Sequence, residues 1–105
     1  MKSVTQKMAN DCINAYTAQL PKATGKITTG VGFNPTELAS WLQKVSPHAA
    51  EIQVRFGIYT EMYSPDKEST GRMTVFFFAC DEAGNTATDE EGNTILPVNA
   101  GVPYP

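Results

Sequence analysis

The chain is poor in the residues that usually carry chemistry. It has one histidine, His48, and two cysteines, Cys12 and Cys80, in 105 residues. No Cys-x-x-Cys pair and no Cys/His cluster exists, so the spacing excludes a zinc finger and a dithiol redox motif. Cys12 and Cys80 read as reduced, mostly buried small hydrophobes. A disulfide between them requires the first helix to pack on the strand that ends at Cys80. The eight basic residues are scattered and the net charge is −3. A nucleic-acid binder generally shows a basic patch or stripe, so no nucleic-acid partner is expected. No apolar run approaches the ~20 residues that cross a bilayer. Met1 to Met8 holds no apolar signal core, and no lipidation motif is visible. The expectation is a cytoplasmic protein with no membrane partner. Phosphate loops are missing too. Gly30-Val31-Gly32 lacks both the G-x-G-x-x-G and the Walker pattern.

What is present is the composition of an ordinary globule, with 41% hydrophobic and 18% charged residues. A chain of this length forms one domain, residues 1–105, and can bury about two thirds of its unfolded surface without staples. Residues 3–20 read as a helix. Val4, Met8, Cys12, Tyr16 and Leu20 recur every fourth position, with Ser3 as the cap and Pro21 as the stop. Residues 22–33 read as a connector with a brief edge strand between Gly25, Gly30 and Gly32. A second helix is predicted over 35–45. Asn34 caps it, Pro35 opens it, and Glu37 stands three residues past the cap. Its apolar stripe is Leu38, Trp41, Leu42 and Val45.

Two strands follow. Ile52 to Tyr59 alternates strictly, with Ile52, Val54, Phe56 and Ile58 on one face and Gln53, Arg55, Gly57 and Tyr59 on the other. The apolar row is expected to build the core. Met73 to Cys80 is almost continuously apolar, as in a strand covered on both faces. The segment from Ser64 to Gly71 joins them as a polar loop. The chain then nearly repeats itself. Asp81-Glu-Ala-Gly-Asn-Thr86 and Asp89-Glu-Glu-Gly-Asn-Thr94 each suit a type I turn closed by a glycine at positive φ. Ile95 and Leu96 can start a last short strand. The tail from Pro97 to Pro105 is too rich in proline and glycine for regular structure and should lie extended over the surface.

These residues carry a resemblance. Val54-Arg-Phe-Gly-Ile-Tyr59, Gly71-Arg-Met-Thr-Val75, Asp81 to Asn85 and Asn99-Ala-Gly101 together resemble a family of small uncharacterised bacterial proteins with an R-x-Y/F-G-like core strand and a Gly/Pro-rich tail. The likeness runs from Phe33 to Pro105. It departs at the end, where some members close on Cys-Pro-Pro and this chain has Val102-Pro-Tyr-Pro105. The resemblance implies a fold and no activity.

The fold class expected is α+β, with two helices packed on a small, mainly antiparallel sheet of three to five strands. Arg55 is a candidate anion ligand. Its guanidinium can hold a carboxylate or phosphate bidentately, with Tyr59 as second donor, Gly57 leaving room and Arg72 nearby. The alternative is a solvated sheet face, or a pairing with an acid such as Glu61. His48 has no nucleophile or metal partner in sequence and is expected exposed beyond the second helix, where its cation suits the helix dipole. The acids from Asp81 to Glu91 do not fit a calcium loop, because glycine comes too early for the EF-hand pattern. No metal and no cofactor is therefore expected. Tyr63, Phe76 and Phe78 are candidates for an interaction surface, since both faces of the second strand need cover. Two functions remain open. One is a non-catalytic protein-interaction or self-association domain, meeting a protein partner or a second copy. The other is an anion-binding or enzymatic domain built on Arg55, Tyr59 and Arg72.

Overall fold

The computed structural model describes residues 1–19 and 28–99, together with the backbone of 102–104. The expected helix members Leu20 and Pro21, and Gly25 and Ile27 of the connector, lie outside the described residues. Helix α1 spans Gln6–Gln19 and α2 spans Pro35–Val45. The strands are β1 (Gly30–Gly32), β2 (Glu51–Ile58), β3 (Met73–Cys80) and β4 (Val102–Tyr104). The class is α+β. The strands form two antiparallel ladders of two strands each, β1 with β4 and β2 with β3, rather than one sheet of three to five.

The start of α1 differs from expectation. Thr5 caps it, accepting from the Met8 amide at 3.1 Å through its hydroxyl, while Ser3 lies outside the helix. A Thr hydroxyl aimed at the third helical amide satisfies one of the orphan donors there. The apolar stripe of α1 is not buried. Val4, Met8, Ile13 and Tyr16 are all exposed, and so is Cys12. Both cysteines are free; Cys80 is buried as expected, while Cys12 is exposed, which corrects the expectation of two mostly buried thiols.

Helix α2 follows its sequence signals closely. Asn34 Oδ1 accepts from the amides of Thr36 at 2.9 Å and Glu37 at 3.0 Å. Pro35 loses no hydrogen bond at the first turn, and Glu37 and Lys44 lie at the ends that suit the helix dipole. Its inner face carries Leu38, Trp41, Leu42 and the buried Val45. Trp41 and Phe33 both lean on Phe77 of β3, at ring-centroid distances of 6.2 and 4.8 Å. His48 follows in the turn after α2. It is half-buried rather than exposed, with Nε2 4.0 Å from the Glu90 carboxylate.

The two acidic turns are near copies in structure as they are in sequence. In each, the leading aspartate Oδ1 accepts two backbone amides at 2.9 and 3.0 Å, from Ala83 and Asn85 in the first and from Glu91 and Asn93 in the second. Gly84 and Gly92 take φ of 85° and 82°. The first turn folds the chain back so that the Ala87 amide reaches the Ala79 carbonyl. The second brings the Ile95 amide to the Ala87 carbonyl. Asp81→Asn should be tolerated, because the amide oxygen can still accept. Asp81→Ala is expected to cost about 1 kcal/mol, and Gly84→Ala about 1–2 kcal/mol through the positive φ, both read from urea midpoints. Equal effects of Asp81→Asn and Asp81→Ala would count against the Oδ1 hydrogen bonds as the cause.

The tail does not simply drape over the surface. Its Val102–Tyr104 segment forms β4 against β1, with Gly30 opposite Tyr104 and Gly32 opposite Val102. Proline is tolerated there because a two-stranded ladder leaves each strand with an open edge. Val98 exchanges backbone hydrogen bonds with Phe77 at 3.0 and 3.1 Å, so the chain before β4 covers part of the outer edge of β3.

Candidate functional site

The β2–β3 register decides which side chains share a face. Ile52 pairs with Ala79, Val54 with Phe77, Phe56 with Val75 and Ile58 with Met73. All eight are apolar, so this is the face expected to build the core. The cover is one-sided. On β3, Val75 and Ala79 are buried and Phe77 lies under Phe33 and Trp41. On β2, Val54 keeps 47%, Phe56 74% and Ile58 62% of its surface exposed. The core therefore stops halfway across the ladder, and the expected inner row of β2 is open.

Beside that row lies an apolar cavity of about 660 Å³, lined chiefly by Tyr16, Val31, Phe33, Val54, Phe56 and Met73. The Tyr16 hydroxyl donates to Met73 Sδ at 3.5 Å, so α1 touches the hairpin at the rim of the cavity. The lining offers little to orient a polar ligand. Its capacity is for apolar surface.

The opposite face holds the residues singled out as an anion site. Arg55 lies with its guanidinium carbon 4.1 Å from the centroid of the Phe78 ring. Its Nε donates to Gln53 Oε1 at 3.0 Å, and its terminal nitrogen reaches Cys80 Sγ at 3.8 Å. Stacking on a ring face is a common use of arginine and contributes about 0.5–1 kcal/mol at an exposed position. Glu61 is not its partner; the cation is matched by a ring and an amide. Tyr59 is buried, and its hydroxyl donates to Asn99 Oδ1 at 3.0 Å. Asn99 Nδ2 in turn donates to the buried Thr74 hydroxyl at 3.3 Å. Arg72 is half-buried at the end of the ladder, where its carbonyl accepts from the Tyr59 amide at 3.0 Å.

A second cavity of about 570 Å³ beside Tyr59 is lined by Tyr63, Pro65 and Phe76, among others, and by neither arginine. Tyr63 itself is 75% exposed in the turn after β2. Phe76 and Phe78 are half-buried. Phe76 gains its cover from Gly57, where an added Cβ would meet the Phe76 ring at 3.0 Å. The glycine is thus the slot in which the ring lies, rather than room for a ligand. Phe78 gains its cover from Arg55. Tyr59, Tyr63 and Phe76 share that cavity, while Arg55 lies opposite Phe76 in the ladder and Arg72 meets Tyr59 through the backbone. Among the described residues no group of three His, Cys, Asp or Glu side chains gathers as a metal would require, and no helix is long and apolar enough to cross a membrane.

Sequence reasoning missed the open row of β2 as a surface. A signal was available. Eight strand residues without a lysine, a proline or a bulge, and with only Glu51 and Arg55 charged, are lightly guarded for an exposed edge. Asn99 was missed as a hydrogen-bond hub because an asparagine in a Pro/Gly-rich tail reads only as a turn former. Comparison with protein-family models, with curated proteins and with solved structures finds no match to this chain.

Proposed function

We propose that the protein is a small non-catalytic interaction domain that works by covering its open apolar row with another protein surface. The observation that carries this reading is the exposure of Val54, Phe56 and Ile58 on β2, while Val75 and Ala79 of the facing β3 row are buried. Total surface supports it. The chain exposes 7895 Å², where a folded monomer of its mass is expected to expose about 5,800 Å². The radius of gyration is 15.8 Å, against about 13 Å for a compact chain of this length. Part of that surplus lies on α1, whose Val4, Met8, Ile13 and Tyr16 are exposed as well. On this reading the sheet of three to five strands expected from sequence is completed by the partner. The anion-binding alternative would require Arg55 to leave Phe78 and Tyr59 to leave Asn99.

Phe56→Lys tests the reading at submicromolar concentration. If Phe56 is open in the isolated chain, the variant keeps its urea stability within about 0.5 kcal/mol and loses most of its binding of a hydrophobic dye. A loss above about 2 kcal/mol means that the chain's own elements cover Phe56 in solution, and the proposal falls.

A further inference from the structure

We infer that the open edge of β2 pairs with the β2 of a second copy of this chain, antiparallel, across a two-fold axis at Val54, which joins the two open rows into one apolar face. This rests on the interaction reading above and names its partner.

The backbone points to it first. Phe77 exchanges both of its outer hydrogen bonds with Val98, so within the β2–β3 ladder the Val54–Phe77 pair is a non-hydrogen-bonded one. The amide and carbonyl of Val54 therefore point away from β3. By the alternation of antiparallel ladders, those of Ile52, Phe56 and Ile58 do the same. Among the described residues nothing accepts or donates to them. They form an unprotected edge. The strand holds no lysine and no proline, and the register runs without a bulge from Glu51 to Ile58. Its two charges, Glu51 and Arg55, are of opposite sign, so they do not repel a second copy of the same strand as a lysine-guarded edge would.

Self-complementarity then selects the partner. A two-fold dimer puts the same patch on both sides of the interface. With the axis at Val54, Val54 faces its own counterpart and Ile52 faces Phe56 of the other copy. Gln53 faces Arg55, and Glu51 lies diagonal to that same Arg55. The apolar residues stay on one face and the charges offset each other on the other. An axis at Arg55 would set two guanidiniums directly opposite, which is unfavourable. The two hairpins would then form one four-stranded sheet, β3-β2-β2-β3. Its central strands would carry the apolar row that each copy leaves open, and the two 660 Å³ cavities would flank it.

Light scattering and sedimentation of the full chain from 1 to 200 μM test the inference, with two variants. The expected result is a dimer for the parent chain. Val54→Pro removes one outward donor at a position where an edge strand tolerates proline. It should weaken the dimer at least about 30-fold while leaving the circular dichroism spectrum and the urea transition of the monomer in place. In a Cys12→Ser background, Val54→Cys should form a covalent dimer on mild oxidation. Directly opposed hydrogen-bonded residues have Cα atoms about 5.5 Å apart, within the range a disulfide spans. Phe56→Cys, whose counterpart is Ile52, should crosslink at least about tenfold more slowly. A parent chain that stays monomeric at 200 μM overturns the inference; if Phe56→Lys is still well tolerated, the interaction reading stands with a different partner. A dimer that withstands Val54→Pro, or equal crosslinking at 54 and 56, overturns the edge pairing.

Discussion

Phe77→Ala is expected to lower the unfolding free energy by about 3 kcal/mol, the largest loss from any single truncation in the aromatic cluster. The side chain is held between Phe33 and Trp41, at centroid distances of 4.8 and 6.2 Å. Those two contacts attach α2 and the segment before it to β3. Truncation removes apolar area from the centre of the cluster and leaves two large rings without a surface to lie on. The value sits at the low end for phenylalanine because Phe77 keeps part of its surface exposed. A domain of ordinary stability has 5–15 kcal/mol in total, and one whose core stops halfway across its ladder has little to spare. The variant should therefore shift the urea midpoint strongly and unfold at physiological temperature. Phe33→Ala should cost less, and the pair should show a coupling of about 1 kcal/mol in a double-mutant cycle. A loss below about 1 kcal/mol for Phe77→Ala would mean that α2 is not docked on β3 in solution.

Where local chemistry decides structure, it was readable. Asn34-Pro35 with Glu37 defines the start of α2 because the cap, the missing amide and the dipole all act within one turn. The two Asp-x-x-Gly-Asn repeats define two turns because each aspartate satisfies amides of its own loop and each glycine takes the positive φ. The alternation of β2 and the apolar run of β3 placed the ladder to within a residue or two. Tertiary choices were not readable. Apolar spacing in α1 says that one face prefers cover, but not whether this chain or another supplies it. The tail pairing between β4 and β1 joins residues 70 to 74 positions apart, and two glycines and a proline give no periodic signal for it.

The candidate site shows the same division. Strand alternation sets Arg55 and Tyr59 on one face; Arg55 lies within the ladder and Tyr59 one residue past its end, with its amide on the Arg72 carbonyl. What the two residues do there depends on their neighbours across the ladder and in the tail. Arg55 turns onto Phe78, and Tyr59 turns inward to Asn99. The residue types alone allowed an anion site. Both are engaged by the chain's own side chains, on one face of a hairpin whose other face is open. Full alternation usually means burial, which assigns the row from Ile52 to Ile58 to the core on sequence alone. The same pattern describes a strand that completes its core with a partner, and period two cannot tell these cases apart.

Asn99→Ala is expected to cost about 2–3 kcal/mol, more than its half-buried position suggests. Its side chain accepts from Tyr59 at 3.0 Å and donates to Thr74 at 3.3 Å, tying the tail to both strands of the hairpin. Thr74 is 1% exposed and Tyr59 8%. Truncation leaves both hydroxyls with little access to water, and an orphaned buried polar group costs more than the hydrogen bond contributes when made. The excess can be isolated. Tyr59→Phe and Thr74→Val remove the stranded hydroxyls themselves while keeping shape. Added to Asn99→Ala, they should restore at least half of the lost stability, so the triple variant unfolds at higher urea than the single one. A purely additive result, with the triple variant the least stable, would assign the cost to lost packing instead. Val98 supplies a second readout. Its backbone exchange with Phe77 does not pass through Asn99, so the Val98 amide should keep its hydrogen-exchange protection relative to global unfolding in Asn99→Ala. Loss of that protection before global unfolding would mean that Asn99 anchors the whole covering segment of β3, and not only its own two partners.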